Sequence, residues 1–497
     1  MNRRLLAVLA TSLACTNCGG GGGSSGSDTR WPANLTVSQT GWVTLGNRAL
    51  ASSTKLAVSW TAPAEPVDRY EVLAQDTVSG CSVTQTADGL VTETTLTGLR
   101  SGTTYELNLH AILKRDGATR CSADRTASAK TEEEYWQVQG TGNSVATATR
   151  TVEDGNVSPY AFRYGAGSDL EGRVRLYYSP FTNSEKGARV AINTPGSFLT
   201  FDRVPDAGVR APQVDGSTPP PFGTFQAVPL ADGRVRLLIE LRGDDHKNRI
   251  VSIDSQDGWV GADFNPSSSP LSTYPDDFGQ GGPCSFTTVL GVEGDAEAAM
   301  AGISNARQCK IGWPALDQWA WDGAPGTFLV ITVDLADVSQ SSSEFCAAYA
   351  VWNGTEWKLQ YSEGTHPKIF SGVQAPLPVH LGGARYKMYF QHNTALKGSF
   401  LDWSTMTSTP TKVVYADGAQ SGDASLVDFE DWDTIDSARR VHFLWPDGSE
   451  MDLATESKLD DFVFLMPTAD PEFQMMYTNM SAEGTAPFIA TAVLANP

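Results

Sequence analysis

Beyond residue 137 of this 497-residue chain one phrase recurs, and it restricts the fold more than any other feature of the sequence. It is a turn followed by a strand-like run that alternates polar and apolar residues and ends on aromatic or aliphatic side chains. The copies are EGRVRLYYS at Glu171–Ser179, DGRVRLLIE at Asp232–Glu240, ARYKMYFQ at Ala384–Gln391, ARRVHFLW at Ala438–Trp445 and PEFQMMYT at Pro471–Thr478, with GTFLVITVD at Gly326–Asp334 as a looser one. Period-two alternation sends successive side chains to opposite faces of a strand, so each copy predicts a strand with one buried face. No stretch carries the 3.6-residue spacing of an amphipathic helix, and residues 137–497 are expected to be mostly strand. The first two copies start 61 residues apart and those at 384 and 438 start 54 apart, a period suited to four-stranded sheets arranged radially. The region is therefore expected to form a β-propeller of five or six blades, with five favoured. A large β-sandwich is the alternative.

Upstream, residues 31–132 carry shorter alternating segments separated by turn residues: Thr54–Trp60, Asp68–Gln75, Glu93–Thr97, Thr103–Ile112 and Asp124–Lys130. This spacing predicts a small antiparallel sandwich. Trp60 followed by Thr61-Ala62-Pro63, then Tyr70-Glu71-Val72, Leu96-Thr97-Gly98-Leu99 and Gly102-Thr103-Thr104-Tyr105, resembles a fibronectin type III domain. The resemblance implies that Trp60 packs between two sheets, that Tyr105 forms a tyrosine corner, and that the domain is a spacer or modest binding module without a catalytic role. Residues 131–136 (TEEEYW) read as its exit, with Glu132–Glu134 as a solvated charge run. The whole chain is thus expected to be all-β.

The first 27 residues have a different character. Arg3 and Arg4, the apolar run Leu5–Leu13 and small Ala14 before Cys15 follow the order of a bacterial export signal. The apolar run is too short for a bilayer core that needs about 20 residues. Ser12-Leu13-Ala14-Cys15 resembles a lipobox, departing at Ser12 where leucine is more usual, and the resemblance implies cleavage before Cys15 and its lipidation. Cys18 is a weaker alternative, and a plain signal peptide is the bland one. Residues 15–30, rich in Gly and Ser, would then be a flexible tether. On this reading residues 1–14 are removed, and the chain is an exported lipoprotein held at the outer membrane or cell surface.

Charge excludes one class of partner. With 36 Lys and Arg against 57 Asp and Glu the net charge is −21, and no basic cluster is present to replace phosphate counterions. Nucleic acid is therefore not an expected partner. The seven cysteines fit an oxidising compartment. The domain bounds suggest Cys81 with Cys121 and Cys284 with Cys309, leaving Cys18 and Cys346 over, although spacing does not determine connectivity. The six histidines are scattered and no CxxC pair sits beside a suitable histidine spacing, so neither a metal nor another cofactor is expected.

The phrase at Arg385–Phe390 resembles the inner strand of five-bladed-propeller glycosidases, the arabinanases, β-xylosidases, levansucrases and their relatives. Val157–Gly165 followed by Arg173–Ser179 is similar to their opening blade, and Met475–Asn479 with Ala486–Ala492 to their closing one. The resemblance implies that an aspartate before the proline of the opening blade acts as general base or nucleophile. Here that position is Ser158, which carries no negative charge at neutral pH. Cleavage through an oxocarbenium-like state normally takes two carboxyl groups.

Other acids stand near turns or strand starts: Asp244 and Asp245, Glu363, Asp428, Glu430 and Asp431, and Asp460-Asp461. Trp313, Trp319 and Trp321, and Trp352 with Trp357, offer indole faces suited to sugar rings. Packing between sheets is the alternative for each indole. Outside the Gly/Ser tether, where Gly22–Gly26 (GGSSG) fits the pattern through composition alone, the sequence contains no Gly-x-Ser-x-Gly elbow, and it contains no HExxH, phosphate loop or GxGxxG after a strand. These readings favour a surface lipoprotein presenting a non-catalytic propeller to glycans or a cell-surface partner. An active glycoside hydrolase and a purely structural surface protein are the alternatives.

Overall fold

The computed structural model describes residues 32–209 with short gaps, the strands between 222 and 429, and residues 441–497 with gaps in the loops. Among these every regular element is a strand. The chain divides into two compact units, Met1–Trp42 with Ala51–Glu132, and Val43–Leu50 with Glu133–Pro497. The first unit ends at Glu132, and residues 43–50 count with the second unit.

The first unit contains β1 (Ala33–Gln39) and, after the excursion of β2 (Val43–Leu45) and β3 (Arg48–Leu50), β4 (Leu56–Thr61), β5 (Arg69–Asp76), β6 (Ser82–Asp88), β7 (Glu93–Leu96), β8 (Thr104–Arg115), β9 (Ala118–Cys121) and β10 (Arg125–Lys130). One sheet has the order β1-β4-β7 and the other β10-β8-β5-β6, with β9 on β8. Alternate residues of β4, β5 and β8 meet in one core of Leu56, Val58, Trp60, Tyr70, Val72, Leu96, Leu107 and Leu109. Trp60 lies against Tyr70 with ring centroids 4.8 Å apart and planes at 57°. The Tyr105 hydroxyl accepts a hydrogen bond from the Arg100 backbone N–H at 2.7 Å, which pins the Leu99–Thr103 turn to β8. Both placements are the ones that the sequence resemblance implies.

The second unit opens with β11 (Glu134–Val138) and continues as sheets in chain order. The first is β12 (Asn156–Arg163), β13 (Val174–Pro180), β14 (Ala188–Asn193) and β15 (Phe201–Val209). The second is β16 (Phe222–Pro229), β17 (Val235–Arg242), β18 (Asn248–Ser255) and β19 (Phe286–Leu290). The third is β20 (Gln308–Leu316), β21 (Phe328–Ala336), β22 (Ser343–Trp352) and β23 (Trp357–Leu359). The short pair β24 (Tyr361–Ser362) and β25 (His366–Pro367) follows, and β26 (Ile369–Ser371) returns to β22. The fourth is β27 (Val373–Gly382), β28 (Arg385–His392), β29 (Lys412–Gln420) and β30 (Val427–Phe429). The last contains β31 (Val441–Leu444), β32 (Ser457–Leu465), β33 (Gln474–Ser481) and β34 (Phe488–Leu494), ordered β31-β11-β34-β33-β32.

The first strands adjoin one another in the order β12, β16, β20, β27, β32, and β32 adjoins β12, so the sheets form a closed ring with these strands innermost. The ring is sealed by β11, which pairs antiparallel with β34, Trp136 opposite Leu494, and parallel with β31. This is a β-propeller whose last sheet takes a strand from the start of the unit. A core of Val152, Ala161, Val174, Leu176, Tyr178, Met476 and Ile489 joins the first and last sheets.

Two expectations are corrected. The recurrent phrase marks the second strand of each sheet (β13, β17, β21, β28, β33), not the innermost one, because the second strand is paired along both edges. Its copy at Ala438–Trp445 is β31, an edge strand of the last sheet, so the 54-residue interval does not measure a blade. The Glu132–Glu134 run is not simply solvated. Glu134, Trp136 and Val138 form the buried face of β11, and Glu134 is 1% exposed.

Candidate functional site

The innermost strands share an irregularity. In β12 the two residues Ser158-Pro159 stand against the single Tyr178 of β13. In β16 Gly223-Thr224 stand against Glu240, in β20 Trp313-Pro314 against Ile331, and in β27 Ala375-Pro376 against Phe390. In β32 Asp461 is the inserted residue, between the pairs Asp460–Thr478 and Phe462–Tyr477. Each is a β-bulge, which leaves the extra residue outside the ladder, sharpens the twist and re-aims the backbone. Proline has no N–H to give a ladder and is confined to such openings inside a sheet. Three of the bulges carry it. Every sheet of the closed ring thus has a re-aimed position on the strand that lies next to its centre, at Ser158, Gly223, Trp313, Ala375 and Asp461, and β27 has a second irregularity between His380 and Gly382.

This arrangement sorts the residues singled out from the sequence. Ser158 and Trp313 occupy equivalent bulges of the first and third sheets, and Asp461 that of the last. Trp352 and Trp357 are directly opposite each other on β22 and β23, away from the innermost strand. Asp428 is on β30, the outermost strand of the fourth sheet, opposite Ala419. Cys121 lies on β9 and Cys309 on β20. Asp244, Asp245, Glu363, Glu430, Asp431, Trp319, Trp321, Cys15, Cys81 and Cys284 lie outside the described residues. The repeated bulge, missing from the sequence reading, has a visible signal: Ser-Pro, Trp-Pro and Ala-Pro each precede an apolar run on a first strand.

Two acids with described side chains are held by other strands, Glu153 by those of the first sheet and Glu134 by those of the fourth. Glu153, just before β12, receives the Tyr178 hydroxyl at 3.3 Å on each carboxylate oxygen and Arg189 of β14 at 3.1 Å. Burial, and then the Glu153 charge, push the Tyr178 hydroxyl well above the ordinary tyrosine range, so it stays a proton donor. Glu134 is enclosed by Lys387, by the Tyr389 hydroxyl at 2.9 Å and by the Trp136 indole N–H at 3.3 Å. Trp136 and Tyr389 meet edge to face at 6.2 Å. Each carboxylate is occupied by cationic and hydroxyl donors across strands, which makes it a clamp between elements. Among the described residues no group of three or more His, Cys, Asp and Glu is placed to hold a metal ion.

Residues 48–123 match the family model of the fibronectin type III domain. The first unit is a fibronectin type III sandwich. It is similar to the solved FN3 domain, residues P368–P466, of human collagen XX, at 21% identity over 22% of this chain and 100% of that one, with a TM-score of 0.16. Across the larger part of the chain there is likeness to the α-L-arabinofuranosidase PaAbf62A from Podospora anserina, solved in complex with cellotriose. The identity is 9%, the cover 73% of this chain and 97% of that one, and the TM-score 0.40. A GH43_1 enzyme from Xanthomonas citri matches at 11% identity over 69% of this chain and 88% of that one, with a TM-score of 0.36. No curated protein matches the sequence.

Proposed function

We propose that this is an exported surface lipoprotein, lipidated at Cys15, that presents a propeller binding carbohydrate at the ring centre without cleaving it. The observation that carries the reading is the set of bulges on the innermost strands. They set Ser158, Gly223, Trp313, Ala375 and Asp461 at equivalent backbone positions around the ring, residues that include an indole, a hydroxyl and a carboxylate. A flat amphipathic ring with a few hydrogen-bonding groups suits a sugar, whose faces are apolar and whose rim is hydroxyl. Hydrolysis by two carboxyl groups asks for a second acid at that level, and the position that the resemblance makes catalytic is Ser158.

The test is a glycan array with the purified protein, run beside turnover assays on aryl glycosides and arabinan. The expected result is binding to a subset of glycans, weakened about tenfold or more by Trp313→Ala, the scale of losing one stacked aromatic anchor, with no turnover. Turnover abolished by Asp461→Asn would replace this reading with an active hydrolase. A blank array would favour a structural role. Anchoring has its own test: Cys15→Ala should move the protein from the membrane fraction to the soluble one.

A further inference from the structure

Residues 43–50 form a hairpin within the second unit, and its seat is unusually tight. Gly46, at φ +56°, lies so close to the turn after β31 that a Cβ on it would fall 1.9 Å from the Asp447 carbonyl oxygen. A Cβ on Gly448, at φ +83°, would fall 2.3 Å from that of Leu45. Two turns therefore meet backbone to backbone, a contact open only to glycine on each side. Beside them Arg48 of β3 holds Glu450 Oε2 with both terminal nitrogens, at 3.3 and 3.2 Å. It also sits over the Tyr135 ring, 5.2 Å from the centroid.

The other oxygen of Glu450 faces His442 Nδ1 at 2.6 Å, and Nε2 of the same ring faces Glu133 Oε2 at 2.6 Å. The ring is stacked on Tyr135 at 4.6 Å and 20°. An ionised carboxylate only accepts, and a neutral imidazole has a single N–H, so both contacts are made together only when the trio holds one further proton. Burial works against ionisation of Glu450, but the hydrogen bond and charge of His442, and then those of Arg48, outweigh it and hold that carboxyl below its usual range.

We propose that Glu133, His442, Glu450 and Arg48 form a proton-dependent latch that seats the 43–50 hairpin on the turn at residues 445–450. The groups facing the imidazole are Glu133 and Tyr135 of the β11 segment and Glu450 after β31, with Arg48 of β3 behind Glu450. The sign follows from linkage: the seated form binds a proton that the released form gives up, so seating is favoured at low pH and weakens as pH rises. Its acid limit is protonation of Glu450, which ends the Arg48 and His442 contacts.

The experiment is hydrogen exchange read by mass spectrometry on the full chain, with intrinsic rates corrected, between about pH 5 and 8, the interval in which histidines ordinarily titrate. Protection of residues 43–50 and 445–451 should fall about tenfold across that interval in the wild type, the scale of one charge-assisted hydrogen bond. In His442→Gln it should be low and indifferent to pH. In Glu133→Gln, which keeps a hydrogen-bonding side chain while removing one charge, the fall should shrink. Wild-type protection that does not change with pH, or a His442→Gln protein that keeps the full fall, would overturn the proposal.

Discussion

The two units meet the same problem, closing strands around a core, over different spans of chain. In the sandwich the decisive contacts are local: Trp60 meets Tyr70 ten residues on, and Tyr105 reaches back to the backbone of Arg100. In the ring they are remote: β11 is paired with β34, and Glu134 is neutralised by Lys387, which stands 253 residues away. A local closure can be read from a run of residues. A remote one is invisible until the fold supplies the partner, and it stakes a buried charge on that partner being present.

The sharpest way to break this comparison is to remove one closure at a time. Glu134→Ala leaves Lys387 buried without its counter-charge and should cost the ring about 4 kcal/mol. Trp60→Ala should take about 4 kcal/mol from the sandwich. Followed by urea titration, each change should shift one transition, and a single shared shift would show that the two units do not unfold independently. Tyr105→Phe removes one hydrogen bond from the turn at Arg100 and should cost the sandwich about 1 kcal/mol, read as a lower urea midpoint with an unaltered slope.

The smallest effect is at Tyr477, whose buried hydroxyl has no hydrogen-bond partner among the described residues. Tyr477→Phe should leave stability at neutral pH within about 0.5 kcal/mol. Burial holds that hydroxyl above its ordinary value, so it contributes stability below the unfolded value of about 10 and loses it as pH climbs beyond. The variant should therefore melt less steeply with alkali than the wild type. An unchanged alkaline limb would mean that other tyrosines carry the whole transition.

The sequence carried the strands of the sandwich and the identity of its pinning residues because alternation, Trp60 and Tyr105 all act within a few tens of residues. It also carried the second strands of the ring, whose EGRVRLYYS-like runs are apolar enough to stand out. It did not carry the innermost strands. Their bulges shift the alternation by one residue part-way along, so Val157-Ser158-Pro159-Tyr160 fits no simple period. The seat of the 43–50 hairpin was hidden for another reason: its partners, Asp447 to Glu450, lie some 400 residues further along, and glycine signals a turn without saying what it touches. Glu134 was misread because a buried acid and a solvated one look alike until Lys387 is placed beside it.

The pairing of β11 with β34 also sets an order of events during synthesis. A domain made early can fold before the rest of the chain is complete, and the sandwich, with short-range contacts, is free to do so. β11 follows directly, yet its antiparallel partner β34 begins at Phe488, about 350 residues further along the chain. Until that partner is made, the edge of β11 that pairs with β34 has no ladder to join, and an unpaired strand edge is prone to join a neighbouring chain. The ring's closure therefore carries an aggregation hazard in the nascent protein, and shielding residues 134–138 until residue 494 has been made is expected to raise the yield of folded ring.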